Sequence, residues 1–395
     1  MLMILGYPFA VSGMALMRVL RAVGAGLIIL LPATAAAQAK PIDGTTTSDG
    51  KKLHFRIVEG RKDDIILFES GGGDDASVWG GLFTPIEEAT GATLIAYDRP
   101  GLGRSEADPQ HHGLTSDIER LESGLKELGY TGHYTLVAHS LGGFYSTLFA
   151  SRHPEQVRAA VMIDINLACF FTDAFLPALR NTDAQLQTLK TENPGRYFAA
   201  VDFEPMVVTM RSVRFPKSIP VLDFVAEHRE FAAPQDFERW RSCHATFASE
   251  APNRTEYTAY GSGHYIFISD PELMIAAILQ AHALANGMSR PELAYAVAAL
   301  NEQKRRDWQY ARSEAALTQW GYDLLGSRSN VAAVKVFELN VALHPGSSNA
   351  YDSLGDGYAA AGDTAAAIRA YTRALTLDPN AKHTAEKLKR LSPPV

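Results

Sequence analysis

The chain of 395 residues predicts an α/β domain, a mostly parallel sheet flanked by helices with a small cap, followed by an all-α helical-repeat segment. Three observations carry that expectation. Apolar runs of strand length recur at residues 64–69, 92–97, 158–163 and 219–225, as expected of buried parallel strands. A serine stands on a sharp turn between a β-type run at 133–137 and a helical segment at 144–153. Near the C-terminus, small and aromatic residues recur with a period of 34.

Taken in order, the N-terminus differs from the rest. Met17-Arg18-Val19-Leu20-Arg21 is basic, residues 22–31 are apolar, and Pro32 to Ala39 offers A-x-A sites after Ala37 or Ala39. That is the layout of a secretory signal peptide over residues 1–39, with Met14 or Met17 an equally good start. The apolar core is shorter than the roughly 20 residues of a spanning helix, so an uncleaved anchor is the alternative. The alanine-rich cleavage region points to a bacterial protein exported to the periplasm or secreted.

The run 64–69 ends in Ser70-Gly71-Gly72-Gly73-Asp74-Asp75, where glycines permit close backbone approach to a ligand. The run 92–97 ends in Asp98-Arg99-Pro100-Gly101-Leu102-Gly103-Arg104-Ser105. The run 133–137 ends in Val137-Ala138-His139-Ser140-Leu141-Gly142-Gly143, with small residues two before and two after the serine, where larger ones would strike the adjoining strand and helix. The run 158–163 closes on Asp164, an acid that is costly there unless paired or hydrogen-bonded. The run 219–225 leads into Ala226-Glu227-His228-Arg229-Glu230. A strand-like stretch at 255–259 precedes Gly261-Ser262-Gly263-His264-Tyr265, and Asp270-Pro271-Glu272 opens a helix at 273–285.

This ordered set resembles the α/β-hydrolase superfamily, in a domain spanning about residues 45–288. The resemblance implies Ser140 as nucleophile on its elbow, His264 as general base, and an oxyanion hole from the N–H groups of Gly72 and Leu141. It implies a structural role for Asp98 and Arg99, and a cap at about 166–215 whose aromatics (Phe170, Phe171, Phe175, Tyr197, Phe198, Phe203) line an acyl pocket or fill the cap's own core. The chain departs from the usual pattern in three places. Ala138 stands where glycine is usual, Ser70-Gly71 where many relatives carry His-Gly, and Arg229 where the acid is expected. The acid is therefore Asp164, or Glu227, with Glu230 third. A serine nucleophile sets the chain apart from the dehalogenases and epoxide hydrolases of similar outline, which use aspartate. The resemblance implies a small-molecule acyl substrate, an ester, lactone or amide, cleaved without cofactor or metal. A proline-iminopeptidase-like enzyme is a variant of that reading. An inactive hydrolase-fold scaffold is the reading from a different class.

Composition is that of an ordinary globular protein, 46% hydrophobic and 21% charged. A net charge of −7 without a basic run disfavours nucleic acid. The two cysteines, Cys169 and Cys243, are open between a disulfide and two buried thiols. Neither His111-His112 nor Cys243-His244 has the spacing of a metal site.

A helical linker is expected at 289–313. Beyond it, Trp320-Gly321, Leu324, Ala333, Phe337 and Pro345 reappear 34 residues on as Leu354-Gly355, Tyr358, Ala367, Tyr371 and Pro379. This resembles the tetratricopeptide repeat over residues 314–395, with Ala374 at the usual tight contact and Asn340 out of pattern. Two repeats rarely stand alone, so they are expected to lean on the first domain, a second subunit or a protein partner.

Overall fold

The computed structural model describes residues 41–48, 50–227 and 234–391. The leader, Arg229 and Glu230 lie outside the described residues. So do the side chains of residues 234, 308 and 310. The described chain divides into two compact units, one up to Glu302 and one from Gln303.

The strands of the first unit are β1 (Ile42–Ser48), β2 (Lys51–Val58), β3 (Arg61–Glu69), β4 (Ala92–Tyr97), β5 (His133–His139), β6 (Val157–Ile163), β7 (Val221–Ala226) and β8 (Arg254–Ala259). They form one sheet in the order β1-β2-β4-β3-β5-β6-β7-β8. Pairings β1–β2 and β2–β4 are antiparallel, and every pairing from β4 onward is parallel. The helices are α1 (Gly80–Thr90), α2 (Leu114–Glu127), α3 (Gly142–Arg152), α4 (Asp183–Glu192), α5 (Pro194–Met210), α6 (Pro234–Ser249), α7 (Pro271–Ala285) and α8 (Pro291–Ala311), the last running across the division between units.

Alternation along β3 shows why the sheet is buried on both faces. Ile65 and Leu67 join α2 and α3 in one core cluster, while Ile66 and Phe68 join α1 and α7 in the other. Helix α7 is buried around most of its circumference, and its start is capped by Asp270, whose side chain accepts from Leu273 N. The run expected to begin at Ile219 starts pairing at Val221, because Pro220 has no N–H to give a ladder. The β1–β2 hairpin is an addition to the strands expected from sequence. Within the expected cap lie a 3₁₀ turn (Leu176–Leu179) and helices α4 and α5.

Register aligns the strand exits. Glu69 pairs with Ala138, His139 with Ile163, and Ile163 with Phe224. The loops after β3, β5, β6 and β7 therefore leave the sheet at one level, the edge where parallel α/β sheets bind ligands.

The second unit contains α9 (Glu314–Gly326), α10 (Asn330–Leu343), α11 (Ser348–Ala360), α12 (Thr364–Leu377) and α13 (Lys382–Leu391), each packed on the next. Its packing repeats. A Cβ at Gly321 would strike the Phe337 ring, and one at Gly355 would strike Tyr371. Ala333, Ala367 and Ala374 are fully buried between helices. Asn340 is buried too, and its amide nitrogen donates to Thr318 Oγ1 at 3.0 Å.

Candidate active site

Ser140 follows β5 directly and has φ +54°, a left-handed conformation uncommon for a side-chain-bearing residue. Backbone bonds fix it there. Its N–H donates to Ile163 O (3.2 Å), and its carbonyl accepts from Gly143 N (3.0 Å) and Asn166 N (2.8 Å). Gly142 is required by proximity, since a Cβ would sit 2.8 Å from the Ser70 carbonyl oxygen. Asp164, one residue past β6, is left-handed as well, at φ +45°. Two such conformations on neighbouring strand exits mark a place where the surrounding structure holds the backbone against its preference.

These turns bring three side chains into a row. Ser140 Oγ lies 2.9 Å from His264 Nε2, and His264 Nδ1 lies 2.6 Å from Asp164 Oδ2. An ionised carboxylate only accepts, so Nδ1 carries the proton and Nε2 is free to accept the serine hydroxyl. Asp164 is wholly buried, and its other oxygen accepts from Trp240 Nε1 (2.8 Å) and Ala226 N (3.2 Å). Glu227 sits elsewhere. Its Oε2 accepts from Gly261 N at 2.9 Å, bracing the loop that carries His264. The imidazole of His139 packs at a tilt against that of His264 (4.5 Å between centroids), and its Nε2 donates to the His264 carbonyl at 3.0 Å.

Gly72 and Leu141 face each other beside the serine. A Cβ at Gly72 would meet Leu141 Cδ2 at 3.5 Å. The loop holding Gly72 is secured from below. Arg99 Nη1 donates to Ser70 O (2.7 Å) and Nη2 to Gly71 O, while Trp79 Nε1 donates to Ser70 Oγ (2.9 Å). Asp98 fastens its own loop by accepting from Ala76 N and Arg104 N, both at 2.8 Å. Under Arg99 lies Glu69, pushed up to about 8 by burial, with Arg99 and the Tyr97 hydroxyl opposing that rise. Asp117, raised to about 6 by burial, accepts from Tyr145 OH at 2.9 Å.

Ser140, His264, Gly72 and Leu141 open onto a cavity of about 690 Å³. Its aromatic walls are Phe170, Phe171, Phe175, Phe203, Trp240 and Tyr265. Tyr197 and Phe198, expected among them, are absent from the wall, and Phe198 instead stacks on His112 (4.6 Å). A second cavity of about 540 Å³ shares Asn166 and Phe171 with the first and is edged by Cys169 and Cys243. These cysteines are joined as a disulfide, with Cα atoms 5.9 Å apart. His111 pairs with Asp108, His112 with Asp202 and His244 with Asp223. Among the described residues no group of three His, Cys, Asp or Glu side chains is arranged to hold a metal ion, and no helix is long and apolar enough to cross a membrane.

Sequence reasoning did not reach Trp240, which lies 76 positions from the acid it serves. Nor did it reach Trp79 or His139. A tryptophan one turn before Cys243 on the same helix was the available signal for the first.

Residues 64–194 match a family model described as alpha/beta hydrolase fold. The chain is 25% identical over 252 residues to the uncharacterized protein YqjL of Bacillus subtilis (strain 168), covering 63% of this chain and 96% of that protein. It is 28% identical over 148 residues to the putative carbamate hydrolase RutD of Variovorax paradoxus (strain S110), covering 38% of this chain and 53% of RutD. The crystal structure of DBJA (mutant dbja delta) superposes with a TM-score of 0.50 at 16% identity, over 62% of this chain and all of that one. The first unit therefore has the α/β-hydrolase fold, and a helical segment follows it.

Proposed function

We propose that the chain is an exported serine hydrolase cleaving a carboxylic ester, lactone or amide through an acyl-enzyme. The observation that carries this reading is the hydrogen-bonded row Ser140–His264–Asp164, with Ser140 and His264 lining a cavity. In this mechanism His264 takes the Ser140 proton as Oγ attacks the acyl carbon. The imidazolium then protonates the leaving group, and water clears the acyl-enzyme by the reverse steps. Asp164 holds the imidazole tautomer. The N–H groups of Gly72 and Leu141 receive the oxyanion, where one such donor is worth about 2.7–4 kcal/mol of barrier. Burial of Asp164 between three hydrogen-bond donors supports its part, because a sealed carboxyl group is costly unless its oxygens find partners.

The test is direct. Purified protein should hydrolyse short p-nitrophenyl esters and react with a fluorophosphonate probe, and Ser140→Ala should abolish both. Absence of labelling, where a control esterase labels, would leave the scaffold reading in its place. Residues 1–39 belong to this proposal as a cleaved leader, and sequencing of periplasmic material should begin at Gln38 or Lys40. The helical segment is proposed to be a pair of tetratricopeptide-like repeats serving a homodimer or a protein partner. The equivalent Gly321–Phe337 and Gly355–Tyr371 contacts support that reading.

A further inference from the structure

The cavity wall is aromatic on several sides, yet it holds one permanently charged side chain. Among the described residues lining it, that side chain is Arg196, near the start of α5. No carboxylate lines the cavity, and among the described residues none forms an ion pair with Arg196. The acid whose ionisation Arg196 favours through space, Asp74, is engaged by the Tyr265 hydroxyl at 3.3 Å. Arg196 is thus a cation on the wall of a largely aromatic chamber, with Asp74 acting on it through space but no direct ion pair to it among the described residues.

Its position is built rather than incidental. Gly73, at φ +84°, leaves vacant the volume into which the Arg196 Cγ, Cδ and Nε pack. The start of α5 is docked backbone to backbone, with Gly195 N donating to Gly101 O at 3.1 Å. A Cβ on Gly101 would come within 2.7 Å of Gly195 N and prevent that approach. Asn193 Oδ1 accepts from Arg196 N at 3.0 Å and fixes the first turn. The guanidinium stem therefore rests on the residue next to Gly72, beside the reacting centre.

We propose that Arg196 selects substrates bearing a carboxylate, so that the natural substrate class is an anionic ester or amide with an apolar portion against the aromatic wall. The inference rests on the serine-hydrolase reading and deepens it. A planar guanidinium pairs with a carboxylate in a way a lysine does not reproduce, and an apolar surround weakens the competition from water.

The experiment compares matched esters: 4-nitrophenyl valerate against the mono-4-nitrophenyl ester of glutaric acid, and phenyl valerate against 4-carboxyphenyl valerate. The pairs place the charge on the acyl side and on the leaving-group side. For at least one pair the native protein should favour the anionic ester, and the preference should shrink as salt rises from 0.05 to 0.5 M (roughly a three-fold fall in screening length). Arg196→Gln should lower the anionic-to-neutral ratio of kcat/KM about 10-fold, and Arg196→Lys should restore part of it. A ratio lets any general loss of activity cancel. No preference in either pair, or the same ratio in Arg196→Gln, overturns the inference while turnover of the neutral esters upholds the hydrolase. If no ester is turned over, the hydrolase reading fails. The Ser140→Ala variant then decides for Arg196 alone, through equal or unequal binding of the glutarate and valerate esters.

Discussion

Two carboxylates are sealed beneath the C-terminal edge of the sheet, and they are satisfied unequally. Asp164, at the exit of β6, faces His264 with one oxygen and receives Trp240 and Ala226 on the other. Glu69, the last residue of β3, receives the Tyr97 hydroxyl on one oxygen, while the other has Arg99 at 3.7 Å and no hydrogen bond. Both are almost fully excluded from solvent, so burial alone does not separate them. What separates them is the number of donors. The difference teaches that a buried acid is held by three donors at one strand end and keeps its proton at another, according to what the neighbouring loops present.

Changing Asp164 should break the comparison most. Asp164→Asn should lower kcat on a short p-nitrophenyl ester by ~10⁴, with the fold retained by circular dichroism, because the amide turns the imidazole to the wrong tautomer. A loss under ten-fold would place the acid elsewhere. Glu69 should answer to pH instead of to catalysis. Its folded-state value, about 8, lies above the ordinary 4.5, so the folded protein holds this proton more tightly than the unfolded chain. The part of the stability tied to this proton should therefore fall as pH rises between those values, and that part is gone above the upper one. Asp117 contributes with the same sign, but only up to about 6. Melting curves between pH 6.5 and 8.5 of the native protein and of Glu69→Gln, compared with each other, report the share of Glu69. Glu69→Gln should flatten the decline there by on the order of 1 kcal/mol, and an unchanged slope would refute the assignment. The smallest effect is expected at Glu227, whose bond to Gly261 N a glutamine carbonyl can keep. Glu227→Gln should change kcat by less than about 3-fold, on the ground that a neutral acceptor makes a comparable bond. A loss of hundreds-fold would transfer to Glu227 the role proposed for Asp164.

The legible parts of this molecule were those in which a local backbone demand selects a residue type. Ala138 and Gly142 around Ser140, the glycines of residues 71–73, and an aspartate ending the apolar run 158–163 all announce their turns. The pairing of Asp164 with His264 across 100 positions was approachable because each sits in a loop whose place in a parallel sheet is fixed by strand order. Trp240 was out of reach. It is one aromatic on a helix of mixed composition, and its partner is set by how α6 docks, which no spacing encodes. The β1–β2 hairpin was legible in principle, since Asp49-Gly50 is a common hairpin turn pair. Its threonine-rich first strand, however, lacks the apolar alternation that draws notice. In the second unit, Asn340 broke the expected pattern in sequence and yet is buried and bonded, because a facing threonine supplies its partner.

One detail of the backbone has a mechanical consequence. The carbonyl of Ser140 is held by the amide of Asn166, two residues beyond Asp164, and the amide of Ser140 is held by the carbonyl just before it. The turns that carry Ser140 and Asp164 are thus laced to each other by two backbone hydrogen bonds, and neither can shift along its strand without stretching the other's.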